Sequence, residues 1–308
     1  MSEAEIGLWG VPLAILGGAI RVSTPFIFVS LGECMTEKSG RINLGLEGTL
    51  IFGAMSAYGS AYLAGSAWIG VAVAACAGSL FGLFHGWACR FPRVNDIALG
   101  IAMMLLGMGL AFFFGKPFIK PNAPDLPSIS LGWWSDVPQV QAALKINVLF
   151  LGGIVLAVLI AAMFRYSRIG LIIRVVGDSS EAARAMGVNV DRVRLWTTAC
   201  GGALAGVGGA YLSLFYPGSW NEGISSGQGL MAVALVIFAR WSPLNCLWAA
   251  LLFGGAGALG PALQSVGITQ GYYLFYAAPY VLTLALLFFT SSKMSAMQGA
   301  PGELSISK

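Results

Sequence analysis

The chain has 308 residues, 57% of them hydrophobic and 10% charged, with a mean hydropathy of +0.79. Soluble domains carry about 25% charged residues, so this composition excludes a soluble globular domain and points to an all-α polytopic membrane protein. The net charge of +4 comes from basic residues dispersed at the ends of apolar runs, which excludes a nucleic-acid-binding surface.

The start, MSEAEIGLWG, holds two acids and no basic residue ahead of the first apolar run. A cleavable signal peptide is therefore not expected, and that run is expected to stay as a span. Apolar runs of about 20 residues can cross a hydrocarbon core of roughly 30 Å. About nine spans (eight to ten) are predicted: 11–32, 43–64, 67–89, 97–114, 146–164, 195–216, 227–240, 243–263 and 272–290. All belong to one transmembrane domain, 1–308. The seventh is short and follows a Gly-rich lead-in, Pro217 to Gly229, as a broken or re-entrant helix would. Spans 195–216 and 243–263 carry the small-residue tracts CGGALAGVGGA and FGGAGALG, which allow close helix packing and equally allow sliding.

Between the fourth and fifth spans, 115–144 contains five prolines and the pair Trp133–Trp134, reading as an outer loop at headgroup level. The next connection, 165–194, holds six arginines against three acids. If it is cytoplasmic, alternation puts Lys38, Arg41, Arg90, Arg93, Arg240, Lys293 and Lys308 on its side. Only Lys116, Lys120 and Lys145 fall on the other, and the acidic N-terminus then faces out.

Within that connection, Ser179 or Ser180 can cap a short helix, with Glu181 in its positive first turn. Ala182, Ala185 and Met186 fall at i, i+3, i+4 and form a shallow apolar stripe. Gly187 stops the helix, and Asn189 can cap a second short turn running into Arg192 and Arg194. With no core of its own, this element reads either as a docking surface or as a solvated connector.

Polar groups inside spans are costly and mark functional candidates. Arg21 lies mid-way along the first span, with Pro25 breaking the helix four residues on. Asn43 and Glu47 share one helical face. Asn95–Asp96 and Asn221–Glu222 precede the fourth and seventh spans. Arg21 and Glu47 either line a pathway or serve structure, by neutralising each other or bonding backbone freed by Pro25. Helix capping is the expected role of Asn95 and Asp96. The five cysteines lack CxxC spacing and read as packing residues, and His85, among Phe81, Phe84 and Trp87, as a satisfied helix histidine. No phosphate loop or HExxH is present. No catalytic, cofactor or metal site is expected, and any nucleotide hydrolysis must belong to a partner.

Two stretches carry a family resemblance. EKSGRINLGLEGTLIFGA (37–54) resembles the E-[RK]-[SA]-G-x-I-N-[LI]-G-x-E-G signature of binding-protein-dependent ABC transporter permeases, in their nucleoside and simple-sugar branch. GLIIRVVGDSSEAARAMGVNVDRVRLW (170–196) resembles that family's coupling region, matching at Gly170, Arg174, Gly177, Glu181, Ala182, Ala183 and Gly187. GGALAGVGGAYL (201–212), RWSPL (240–244) and APYVLTLALL (278–287) match later spans in order. RVNDIALGIAMMLLGMGL (93–110) looks like the second permease of nucleoside-type systems, although Met103 and Met104 depart from a more polar pair.

The resemblance implies half of an importer in a bacterial-type inner membrane. A second permease would complete the pathway, ATP-binding subunits would dock below, and an outer substrate-binding protein or lipoprotein would deliver a small polar solute. It assigns coupling to Glu181, Ala182, Ala183, Arg184, Met186 and Gly187, and leaves Arg21, Asn43 and Glu47 as pathway candidates. The competing reading is a self-sufficient secondary transporter or channel, which would need paired intramembrane charges.

Overall fold

The computed structural model describes residues 10–119, 122–136, 140–141, 144–265, 270–291 and 299–306. The side taken by the acidic N-terminus and by Lys120, Lys293 and Lys308 lies outside the described residues. The helices are α1 (Gly10–Lys38), α2 (Leu46–Ala64), α3 (Ala67–Ala88), α4 (Asp96–Gly115), α5 (Val148–Tyr166), α6 (Arg168–Asp178), α7 (Ser180–Ala185), α8 (Val190–Leu214), α9 (Gln228–Phe238), α10 (Pro243–Ser265), α11 (Tyr272–Tyr276), α12 (Ala278–Ser291) and α13 (Gly302–Ile306).

Every predicted span interval is occupied by helix, yet among the described residues five helices are long and apolar enough to cross a membrane by themselves: α1, α3, α4, α5 and α10. Helices α9, α11 and α12 are short, and α2 and α8 are long but richer in Gly, Ser and Thr. The physical reason lies in the packing. Helix α8 sits at the centre, lined by α1, α2 and α3, and α2 is wedged between α8, α3 and α4. A helix wrapped by other helices needs small residues for close approach more than it needs hydrophobicity. An alanine Cβ at Gly78 of α3 or at Gly202 of α8 would strike the other residue's carbonyl, and one at Gly53 of α2 would lie 2.8 Å from the Gly206 Cα. The small-residue tract of α8 is thus a packing seam, and Gly254 in that of α10 meets the Ala19 carbonyl of α1 in the same way.

The first helix departs from expectation. It runs unbroken through Pro25 to Lys38, packed along α8 and α10. Ser23 Oγ and Thr24 Oγ1 both donate to the Ile20 carbonyl, at 3.1 and 2.9 Å. The all-α expectation also misses a small ribbon in the 115–144 loop and after it. Strands β1 (Ser128–Ser130) and β2 (Lys145–Asn147) pair antiparallel, Ile129 opposite Ile146. Trp133 and Trp134 are strongly exposed beside it. Asn147 ends the ribbon and begins α5, accepting from the Leu149 amide at 2.8 Å and donating to the Pro127 carbonyl at 3.0 Å.

Two apolar clusters form the body. One joins α2 and α8 through Leu50, Ala54, Tyr211 and Leu214; the other joins α1, α5, α9 and α10 through Ile27, Phe150, Leu235 and Phe253. Contacts among Lys38, Arg41, Asp96, Arg194 and Gly299 gather the ends of α1, α4 and α8 at one basic end of the bundle. The 115–144 loop packs at the opposite end, where the Leu126 amide donates to the Leu214 carbonyl.

Candidate functional site

At the basic end, the 165–194 connection folds as three consecutive helix segments, each with a cap. Ser167 Oγ accepts from the Gly170 amide at 3.0 Å and opens α6. Ser179 Oγ accepts from the Ala182 amide at 3.2 Å and opens α7. Gly187, at φ +79°, closes α7 with its amide on the Arg184 carbonyl at 2.9 Å, while the Val188 amide returns to the Ala183 carbonyl at 3.0 Å. Only a residue tolerant of the left-handed region fits there. Asn189 Oδ1 then accepts from the Arg192 amide at 3.0 Å, and what it caps is the 25-residue α8, not a short turn.

The segment does have a core of its own, contrary to the sequence reading. Val176, Ala183 and Val190 are buried together, backed by Ile172, Val175, Val188 and Val193. Ala183 therefore faces inward as the anchor of α7, whereas Glu181, Ala182, Arg184, Ala185, Met186 and Gly187 face outward. Met186 is 63% exposed. An apolar face one turn deep is thus held rigidly over a small core, between helices continuous with the body.

The second polar region is buried. Glu47, at 5% exposure, has both oxygens engaged by the lead-in to α9. Its Oε1 accepts from Ser225 Oγ at 2.5 Å and from the Gly227 amide at 3.0 Å, and its Oε2 from the Gly229 amide at 2.6 Å. A carboxylate thus satisfies the orphan amides at the positive end of a short helix. Ser226 and Gly227 take left-handed conformations to aim those amides, and Tyr280 of α12 donates to the Ser226 carbonyl at 2.8 Å. Helix α9 is the short seventh helix of the sequence reading, and Glu47 is what fastens it.

Asn43 is also buried. Its Oδ1 accepts from the Gly45 amide at 3.0 Å, and its own amide donates to Glu33 Oε1 at 2.8 Å. Arg21 is half-buried; its Nε donates to the Gly17 carbonyl at 3.2 Å and its guanidinium lies 5.9 Å from the Tyr216 ring centroid. Asn95 caps α4 as expected, accepting from the Ile97 and Ala98 amides at 2.9 and 3.1 Å. Asp96 instead pairs with Arg41 at 2.6 Å, whose other nitrogen donates to the Cys89 carbonyl at 2.5 Å. Exposed Asn221 closes a turn by accepting from the Gly223 amide at 3.1 Å. His85 is buried, and no metal-holding cluster occurs among the described residues.

Sequence reasoning missed two acids. Glu33 and Glu37, one turn apart on α1, are fully buried; Glu37 accepts from the indole nitrogen of Trp241 in the α9–α10 turn. The signal was present, since two acids adjoin an apolar run, but a span ending at residue 32 placed them outside it.

The family model described as "branched-chain amino acid transport system / permease component" matches residues 15–291. A putative glucose ABC transporter permease of Haloferax volcanii is 32% identical over 259 residues, covering 82% of this chain and 79% of that protein. A guanosine ABC transporter permease of Bacillus subtilis is 31% identical, covering 89% and 90%. A nucleoside ABC transporter permease of Lactococcus lactis is 29% identical over the same shares. With several helices able to cross a membrane and a family match over most of its length, the chain belongs to the branched-chain amino acid transport permease family: it is a multi-pass, non-enzymatic permease subunit of an ABC transporter, whose ATP hydrolysis resides on a separate subunit.

Proposed function

We propose that this chain forms half of the solute pathway of an ATP-driven importer for nucleosides or related simple sugars and purines, with α7 as the helix that receives the ATP-binding subunit. The observation that carries the coupling role is the exposed face of Ala182, Ala185 and Met186, mounted on buried Ala183 and joined through α6 and α8 to the membrane body. The face is of a size to enter a groove, while Glu181, Arg184 and Arg192 rim it and can meet opposite charges. Closure of the ATP-binding subunits would move α7 and tip the helices at both of its ends, a two-state linkage. The basic end faces the cytoplasm of a bacterial-type inner membrane, following the positive-inside rule. Nine spans cross it, including α2, α8, α9 and the α11–α12 pair, as a single domain over 1–308. A second, paralogous permease completes the pathway, and an outer substrate-binding protein or lipoprotein delivers the solute.

The names of the relatives support the solute class, two being nucleoside or guanosine permeases and one a glucose permease. In the pathway itself, Arg21 meets the solute, a reading supported by its half-buried position beside Tyr216. Asn43 and Glu47 brace the α1–α2 turn and α9, which shape the path.

The test is Met186→Glu in the complete transporter, assembled with its second permease and ATP-binding subunit in proteoliposomes. The expected outcome is release of the ATP-binding subunit and loss of ATP-driven uptake of tritiated guanosine and D-glucose, with membrane insertion unchanged. Wild-type subunit binding and uptake in this variant would overturn the coupling role.

A further inference from the structure

The C-terminal segment returns to the coupling region after the last long helix. Helix α13 is short, and Glu303 within it makes three ties. Its Oε1 accepts from the Ser180 amide, the first helical amide of α7, at 2.7 Å, and the Ser180 side chain also bonds it. Its Oε2 accepts from the Arg194 guanidinium at 3.1 Å. Arg194 is itself buried in the second turn of α8 and donates from Nε to the Ser39 carbonyl, at the end of α1, at 3.0 Å.

The surrounding backbone is fitted to these ties. A Cβ on Gly302 would strike the Asp178 carbonyl at the end of α6, and one on Gly40 would lie 2.8 Å from the Glu303 Cβ. Lys38 Nζ donates to the Gly299 carbonyl at 3.3 Å, and Ala300 and Leu304 pack on the α1–α5–α9–α10 cluster. One carboxylate therefore joins α7 to α8 and, through Arg194, to α1.

We propose that α13 is a clasp that makes α7 move as one piece with α1 and α8, and that Glu303 is its positioning residue. This rests on the coupling role of α7. Without the clasp, α7 is held among the described residues by its flanking chain and the small Val176–Ala183–Val190 core. A pull on α7 would then be absorbed in the 178–190 segment instead of reaching α1 and α8. The clasp gives the stroke a second, charge-assisted route.

The test measures solute taken up per ATP hydrolysed, in proteoliposomes of the complete transporter, with tritiated guanosine and D-glucose as probes. Glu303→Ala removes all three ties. Ser180→Pro removes the α7 tie alone, because proline suits the first position of a helix and Ser179 before it is already extended. Both variants should keep ATP hydrolysis within about two-fold while uptake per ATP falls by at least about five-fold, the lower end of ordinary coupling between sites. Glu303→Gln, whose carbonyl can still accept from the Ser180 amide, should recover part of that loss. An unchanged ratio in Glu303→Ala or in Ser180→Pro overturns the clasp, as does a parallel fall of hydrolysis and uptake that Glu303→Gln does not relieve. Met186→Glu in the same assay separates this from failure of the underlying reading: if it still binds the ATP-binding subunit, α7 is not the docking helix.

Discussion

Two carboxylates at helix N-termini show opposite strategies in this molecule. Glu47 is buried in the body, and both oxygens are consumed by the lead-in and first turn of α9. Glu303 is partly exposed at the basic end, and it shares its oxygens between the first amide of α7 and Arg194. A buried, unsatisfied polar group costs far more than a wet one. Glu47 is therefore fully engaged in holding the lead-in to α9, whereas the α7 region keeps charged and apolar groups facing outward at little cost. An acid in an apolar run is costly, and here it marks where a short helix has been pinned.

The sharpest way to break the comparison is Glu47→Ala. Ser225 Oγ and the Gly227 and Gly229 amides lose their acceptor together. At roughly 1.5–3 kcal/mol for each hydrogen bond to a charged group, the loss should be about 4 kcal/mol or more. It would be read as a large fall in the denaturation midpoint of detergent-solubilised protein. A small fall would mean that water or another donor-acceptor network replaces the carboxylate.

On the wet side, Asn189→Ala removes the cap of α8 and should cost only about 1 kcal/mol, measured the same way. A loss as large as that of Glu47→Ala would erase the distinction between the two regions.

The smallest effect concerns pH. Burial by itself raises the Glu303 carboxyl, but hydrogen bonds from the Ser180 amide and side chain and the charge of Arg194 outweigh it, holding the group below the usual range. A depressed folded-state pKa means that the tie is complete above the unfolded value of about 4.3 and is lost as pH falls through the folded value. Its partial exposure keeps the gain small. A spin label at Met186 should therefore be equally restrained at pH 7 and pH 6 and become more mobile as pH falls below the usual carboxylate range. In Glu303→Ala it should be mobile throughout; a restrained label in that variant would show that the small core alone holds α7.

Local chemistry was legible where a residue and its partner are close in the chain. The Ser179 cap, the Gly187 stop, the Asn189 cap and the Asn95 cap all bond within three residues and follow from residue type and position. Composition and run length likewise announced a membrane protein. What could not be read were partnerships across the chain. Glu47 and Ser225 lie 178 positions apart, and Ser180 and Glu303 lie 123 apart. Nothing in either local pattern distinguishes a pinned carboxylate from one lining a path. The small-residue tract of α8 could not choose between packing and sliding until Gly78 and Gly202 were seen at contact.

By itself, then, the sequence determined the membrane class, the rough positions of the apolar helices, the caps around α7 and the family resemblance, since these depend on hydrophobicity, spacing and local hydrogen bonding. The tertiary structure alone decided that α2 and α8 are wrapped by other helices, that Ala183 points inward, that Glu47 pins α9, and that the C-terminus returns to tie α7 to α1 and α8. Those outcomes depend on which distant groups meet once lipid leaves buried polar atoms no other partners.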